Sequence, residues 1–195
     1  VDSLNARIMV DSLDRISGLL FLPFPKDYKF ELPRYADTSF FSETEFKFGV
    51  EGWELNASLT IPRTFRKPPA VVLVHGSGPN DRDETVGGIK TFRDIAYGLS
   101  SGGIAVMRYE KRTKEYPTKF SKNLNDFTVW EETIEDAIEA AKYLKTRSDI
   151  DTNRIFILGH SLGGNLAPRI ASDYRGLKGI IIVNGNVRKL QDLVI

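Results

Sequence analysis

From residue 41 onward the chain alternates short apolar runs with longer stretches of helical period. Glu45-Phe-Lys-Phe-Gly-Val50 alternates with period two, and Glu51-Gly52 can turn it into a second strand over residues 53–61. Ala70-Val-Val-Leu-Val74 is a continuous apolar run, as expected of a central strand covered on both faces. Residues 92–99 fit a helix closed by Ser100-Ser-Gly-Gly103, and residues 104–108 fit the next strand. Residues 110–125 read as a charged, irregular connection. The strongest helical signal runs over residues 126–145, with Val129, Ile134, Ala137, Ile138, Ala141 and Leu144 on one stripe. Ile155-Phe-Ile-Leu158 predicts a buried strand, residues 162–174 a helix, and Gly179-Ile-Ile-Ile-Val183 a further strand. Such alternation implies βαβ units with right-handed crossovers. The predicted fold is an open α/β sheet, mostly parallel, with helices on both faces and an antiparallel edge formed by the early strands.

The first 40 residues read differently. Leu4, Ile8, Met9, Leu13, Ile16, Leu19 and Leu20 fall on a helical stripe, with Asp2 or Ser3 as cap, so residues 2–22 predict a helix. Its polar face mixes acids with bases, which favours packing against protein over lying on a membrane. Pro23, Pro25 and Pro33 then break regular structure, and residues 24–37 read as a linker.

The 195 residues suffice for one domain with a sizeable core, and 41% hydrophobic with 27% charged residues is a globular composition. Lys plus Arg total 27 against 26 Asp plus Glu, so the net charge of +1 gives no electrostatic reason to expect nucleic acid or an anionic membrane as partner. No apolar run approaches the ~20 residues of a membrane helix. Cysteine is absent, which excludes disulfides and a thiol nucleophile within these residues. The chain begins at Val1, as a processed or trimmed product would.

Between the strand at 155–158 and the helix from 162 lies Gly159-His-Ser-Leu-Gly163, a G-x-S-x-G nucleophile elbow. This turn forces Ser161 into an unfavourable backbone conformation, and side chains at Gly159 and Gly163 would collide with the neighbouring strand and helix. The same five letters also suit an ordinary glycine-rich turn, but strand before and helix after are the motif's own context. The run His75-Gly-Ser-Gly-Pro-Asn-Asp-Arg-Asp83 leaves the strand at 70–74 as a glycine- and polar-rich loop. In open α/β sheets ligands bind beyond the carboxyl ends of the strands, where both loops fall.

Serine is a weak nucleophile, so acyl transfer needs a base and oxyanion donors. One donor would be the Leu162 N–H. The second would come from the loop after Val74, first Ser77, with Gly76 or Gly78 next. The base is harder to find. The chain has only His75 and His160. His160 lies beside the nucleophile, with its ring expected to face the interior, and His75 is placed to pin the loop. No histidine follows Ser161, where the order Ser, acid, His would require one. Asp173 and Asp192 read as surface carboxylates, so base and acid are expected to lie beyond this chain.

Taken together, His75-Gly-Ser-Gly-Pro-Asn-Asp-Arg-Asp-Glu-Thr85, Gly103-Ile-Ala-Val-Met-Arg-Tyr-Glu-Lys-Arg112, Gly159-His-Ser-Leu-Gly163 and Asn184-Gly-Asn-Val-Arg-Lys-Leu-Gln-Asp-Leu193 resemble bacterial and archaeal α/β-hydrolase-fold serine esterases. The branch is the one related to dienelactone hydrolases and thermophilic carboxylesterases. The resemblance covers residues 41–195 and implies an α/β-hydrolase domain truncated before its last strands, ending at the start of a helical cap. Residues 1–40 would be the tail of an upstream small domain. It implies Ser161 as nucleophile, Ser77 and Leu162 as oxyanion donors, and Gly76, Gly159 and Gly163 as the glycines of loop and elbow. Glu110 would stand at a structural ion-pair position where the family has aspartate. It further implies a small-molecule ester as substrate, no metal or organic cofactor, and a missing C-terminal half or second chain as partner. Two other readings stay open: a non-catalytic binding module on the same fold, and peptidase, thioesterase or acyltransferase chemistry at the same elbow. Tyr116, Phe127 and Trp130 are core or pocket lining, with core favoured for Phe127 and Trp130 by their spacing.

Overall fold

The computed structural model describes residues 4–11, 13–23, 29–64, 66–122, 127–186 and 188. Its centre is a six-stranded sheet in which β3 (Phe41–Phe48) and β4 (Leu55–Pro62) form one edge. β8 (Ala105–Tyr109), β5 (Ala70–Val74), β9 (Ile155–His160) and β10 (Gly179–Val183) then follow in space, while the short strands β6 (Thr85–Val86) and β7 (Ile89–Lys90) pair with each other apart from this sheet. β3, β4 and β8 pair antiparallel, whereas β8, β5, β9 and β10 are mutually parallel. The antiparallel edge on an otherwise parallel sheet is therefore as the sequence predicts.

β5 explains why its sequence is apolar throughout. Val71 and Leu73 face one side, where they pack with Val106, Leu158 and the helix residues Phe92 and Ala96 of α1 (Thr91–Ser101). Ala70, Val72 and Val74 face the other, against Ala137, Ile138, Ala141 and Leu144 of α4 (Glu135–Lys145) and Leu162, Leu166 and Ile170 of α5 (Leu162–Asp173). Each face needs its own apolar set, so no position in the strand can be polar. Burying a Leu73-sized side chain contributes roughly 2–3 kcal/mol.

Three expectations need correction. Residues 4–10 and 16–23 pair as a hairpin, β1 (Leu4–Val10) with β2 (Ile16–Pro23), not a helix. Leu4 and Ile8 stand four apart, a spacing that satisfies period two as well as 3.6. The decision falls to the turn, where Asp11 Oδ1 accepts from the N–H groups of Leu13 and Arg15 and Asp14 takes φ 57°. The connection after β8 is not irregular: it contains α2 (Arg112–Glu115) and α3 (Pro117–Lys122). The long helix begins with a π turn over Trp130–Ile134 before becoming regular in α4. The expected cap after Val183 and the carboxylate of Asp192 lie largely or wholly outside the described residues, as do residues 24–28 of the linker. Among the described residues, no helix is long and apolar enough to cross a membrane.

Candidate active site

β5 and β9 are hydrogen-bonded neighbours in register, Val74 opposite Gly159, so the loops that leave their carboxyl ends emerge side by side. Ser161 stands at the β9 exit with φ 51° and ψ −112°, a positive-φ conformation costly for any residue with a Cβ. Its N–H donates to Val183 O at 2.9 Å and its C=O accepts from Asn165 N–H at 3.0 Å, so β10 and α5 hold the strained residue from both sides. The glycines act by absence. A Cβ on Gly159 would overlap the Gly163 backbone, and one on Gly163 would overlap the Val74 and His75 carbonyls. Only a bare backbone lets α5 approach β5 closely enough for the Gly163 N–H to reach His75 O at 3.0 Å. Leu162 opens α5, so its N–H is one of the four that lack an intrahelical acceptor.

The β5 exit lies directly over the serine. A Cβ on Gly76 would stand 3.2 Å from Ser161 Cβ and 3.3 Å from Glu84 Oε1. The Gly76 N–H donates to Glu84 Oε1 at 2.8 Å, and the same carboxylate places Oε2 at 2.8 Å from His160 Nδ1. Glu84 is thus a buried bridge between loop and elbow, itself at φ 49°. The Gly76 C=O accepts from Lys111 Nζ at 2.8 Å and Asn80 Nδ2 at 3.1 Å.

The polar run from Asn80 to Glu84 is anchored residue by residue. Asn80 Nδ2 also donates to Ser77 O at 3.0 Å, and Asp81 Oδ1 accepts from the N–H groups of Asp83 and Thr85. Arg82 spans Glu110 (3.0 Å), Glu45 (2.9 Å) and Ser58 Oγ (2.7 Å), so Glu110 does occupy an ion-pair position. Asp83 is buried among Arg108, Lys90 and Arg93. Arg108 also reaches Glu43, from the middle of the apolar strand β8.

The two histidines are held differently. His75 is fully buried against Phe92 and Tyr109, with Nε2 3.1 Å from Asp81 O. Burial, reinforced by the nearby Lys111 ammonium, pushes its pKa down to about 3, so the ring is neutral and pins the loop. His160 does not point into the interior as expected. Its ring turns to Glu84 and remains partly exposed. Asp173 is at the surface, 3.5 Å from Arg169. Trp130 and Tyr116 are half-buried against the main core, and Phe127 packs edge-on against Trp53 and Phe120. Beside the loop, Gly78, Pro79, Thr113, Pro117, Phe120 and Glu132 line a cavity of about 340 Å³.

Strand order, crossover pattern and a positive-φ serine between two glycines define an α/β-hydrolase fold. The sequence profile of the prolyl oligopeptidase family matches residues 90–188, half of the chain, and the chain belongs to that family. It is 44% identical over 194 residues to esterase EstD of Thermotoga maritima, covering 98% of this chain and 43% of that protein. A hyperthermophilic esterase from the archaeon Pyrobaculum calidifontis superposes with a TM-score of 0.55 at 22% identity, over 75% of this chain and 46% of the other. A thermophilic and thermostable carboxylesterase cloned from a metagenomic library superposes with a TM-score of 0.56 at 24% identity, over 76% and 48%. At these identities the structural likeness establishes the fold. The chain spans less than half the length of the curated relatives it matches.

Sequence reasoning placed Asn80 in the loop and Glu84 and Lys111 within its motifs but gave none of them a role, and it did not bring Glu132 to this region. A signal existed in Arg108: a charged residue inside a continuous apolar strand requires a buried partner. The four consecutive polar residues of the Asn80–Asp83 run supply it.

Proposed function

We propose that the protein to which this chain belongs hydrolyses carboxylic esters through an acyl-enzyme on Ser161. The observation that carries this reading is the close approach of the Gly76 loop to a strained Ser161 at the open end of a parallel sheet. The relationship to a named esterase at 44% identity supports the substrate class. In the proposed cycle the Ser161 Oγ attacks the ester carbonyl, and its proton passes to a general base. The oxyanion that forms is held by the N–H groups of Leu162 and Ser77. The Gly76 N–H is already committed to Glu84, which favours Ser77 as the loop donor. Collapse releases the alcohol, and water then hydrolyses the acyl-serine. His75 is buried and held at Asp81 O, His160 turns its Nδ1 toward Glu84, and no histidine follows Ser161 in the sequence, which supports a base and an acid contributed from outside this chain. The 340 Å³ cavity beside Gly78 and Pro79 is of a size to receive one arm of a small ester.

The family's name favours one second reading, peptide hydrolysis at the same serine. The test is turnover by the full-length protein on matched ester, thioester and peptide substrates, with Ser161→Ala alongside. The expected result is ester cleavage well above peptide cleavage, and a fall of about 10⁶-fold in kcat for the variant. Retained ester turnover by Ser161→Ala would overturn the nucleophile assignment. Faster peptide than ester cleavage would move the protein to the second reading.

A further inference from the structure

We propose that Lys111 is a positioning residue that fixes the polarity of the oxyanion donor, acting through the Gly76–Ser77 peptide. This rests on the serine hydrolase reading above. Gly76 C=O and Ser77 N–H belong to one peptide unit, and no peptide bond among the described residues is cis. In a trans unit the carbonyl and the N–H point in opposite directions. Whatever holds the Gly76 oxygen therefore aims the Ser77 hydrogen. Lys111 Nζ holds it at 2.8 Å, with Asn80 Nδ2 as second donor at 3.1 Å, so the Ser77 N–H is directed away from Lys111.

The lysine is placed for this task and little else. Its side chain is 2% exposed, an unusual state for lysine, and its ammonium meets Glu132 Oε1 at 2.6 Å. Its own N–H donates to Asn80 O at 3.1 Å, so the two donors to Gly76 O are tied to each other. Glu132 lies within the π turn that precedes α4, and such turns occur frequently at functional sites. On the other side Glu84 takes the Gly76 N–H, so the glycine is clamped through both of its peptide groups. Gly76 has no Cβ to restrict its own backbone, and Gly78 close by stands at φ 89°, so the peptide between Gly76 and Ser77 needs such a clamp. Without it the peptide plane can flip, turning a carbonyl toward the developing negative charge. That replaces attraction by repulsion at the moment of reaction.

The test uses the full-length protein with Lys111→Met, a neutral chain of similar length. Steady-state turnover is measured together with the inhibition constant of a boronic acid that mimics the tetrahedral intermediate. Folding is checked by the cooperative thermal transition. We expect kcat to fall about 10- to 100-fold, part of the 10²–10³ assigned to a lost oxyanion donor. Boronate affinity should fall in parallel, with KM within about twofold of wild type. A merely structural lysine would lower the thermal midpoint and leave kcat and boronate affinity unchanged in the folded variant, and that result overturns the proposal. Should Lys111→Met not fold, Glu132→Gln keeps the ammonium while loosening its anchor. A joint fall in kcat and boronate affinity supports the proposal there, and no change in either overturns it. Ser161→Ala separates the two levels. If that variant retains turnover, the serine reading fails and this proposal with it. If it is inactive while folded Lys111→Met behaves as wild type, only the clamp fails.

Discussion

The two loops that meet at Ser161 are held by different physics. The elbow is held by backbone sterics: Gly159 and Gly163 are positions where any side chain would overlap main-chain atoms, and β10 and α5 bind Ser161 through its own N–H and C=O. The loop from His75 to Glu84 is held by side chains. A neutral buried histidine, a bridging glutamate, an amide and a set of ion pairs each tether one segment. Sterics tolerate no substitution and ignore pH. A side-chain scaffold can be loosened one tether at a time, and part of it titrates.

The largest effect is expected where backbone meets backbone. Gly163→Ala forces a methyl group into the Val74 and His75 carbonyls, neither of which can rotate away. We expect a loss of about 4 kcal/mol or more, or no folded protein, by denaturant midpoint. A loss under about 1 kcal/mol would mean that α5 can slide, and the contrast between the loops would dissolve.

A smaller but diagnostic effect is expected in acid. The pKa of His75 is about 3 in the folded protein and about 6.5 when unfolded, so between these values the unfolded state binds more protons. Stability therefore falls as pH drops below about 6.5, by about 3 kcal/mol on reaching pH 4 from this group alone. His75→Phe should flatten that slope in a pH series of urea midpoints, whatever it does to stability at neutral pH. An unchanged slope would remove His75 from the scaffold's titrating part.

The smallest effect separates the two functions of Glu84. Glu84→Ala leaves the buried Gly76 N–H without an acceptor and should cost about 1–3 kcal/mol. Glu84→Gln keeps an acceptor oxygen for the Gly76 N–H while losing the charge facing His160, and should cost less than Glu84→Ala. Equal losses would show that the charge, not the acceptor, joins loop to elbow.

This contrast also explains what could be read from the chain. Backbone constraints leave a fixed local signature, so Gly159-His-Ser-Leu-Gly163 marks the elbow without any knowledge of its neighbours. The apolar run of β5 likewise announces burial on two faces. Side-chain tethers join residues far apart in sequence: Lys111 lies 35 positions from Gly76, and Arg108 lies 65 from Glu43. No periodicity records such pairs, and only the sheet order brings β3, β8 and the loop after β5 together. The hairpin at residues 4–23 failed for a different reason. Its apolar spacing fits two periods, and the choice is made by the Asp11 turn, whose side-chain bonds stand outside the pattern.

The measurement that bears most directly on the central claim is the intact mass of the full-length protein after reaction with a fluorophosphonate, followed by peptide mapping. Serine activated by a base and an oxyanion hole is phosphonylated, whereas ordinary serines are not. The expected result is one adduct, mapped to Ser161 and absent from Ser161→Ala. An unmodified protein that still turns over esters, or an adduct on another residue, would contradict the assignment of Ser161 as nucleophile.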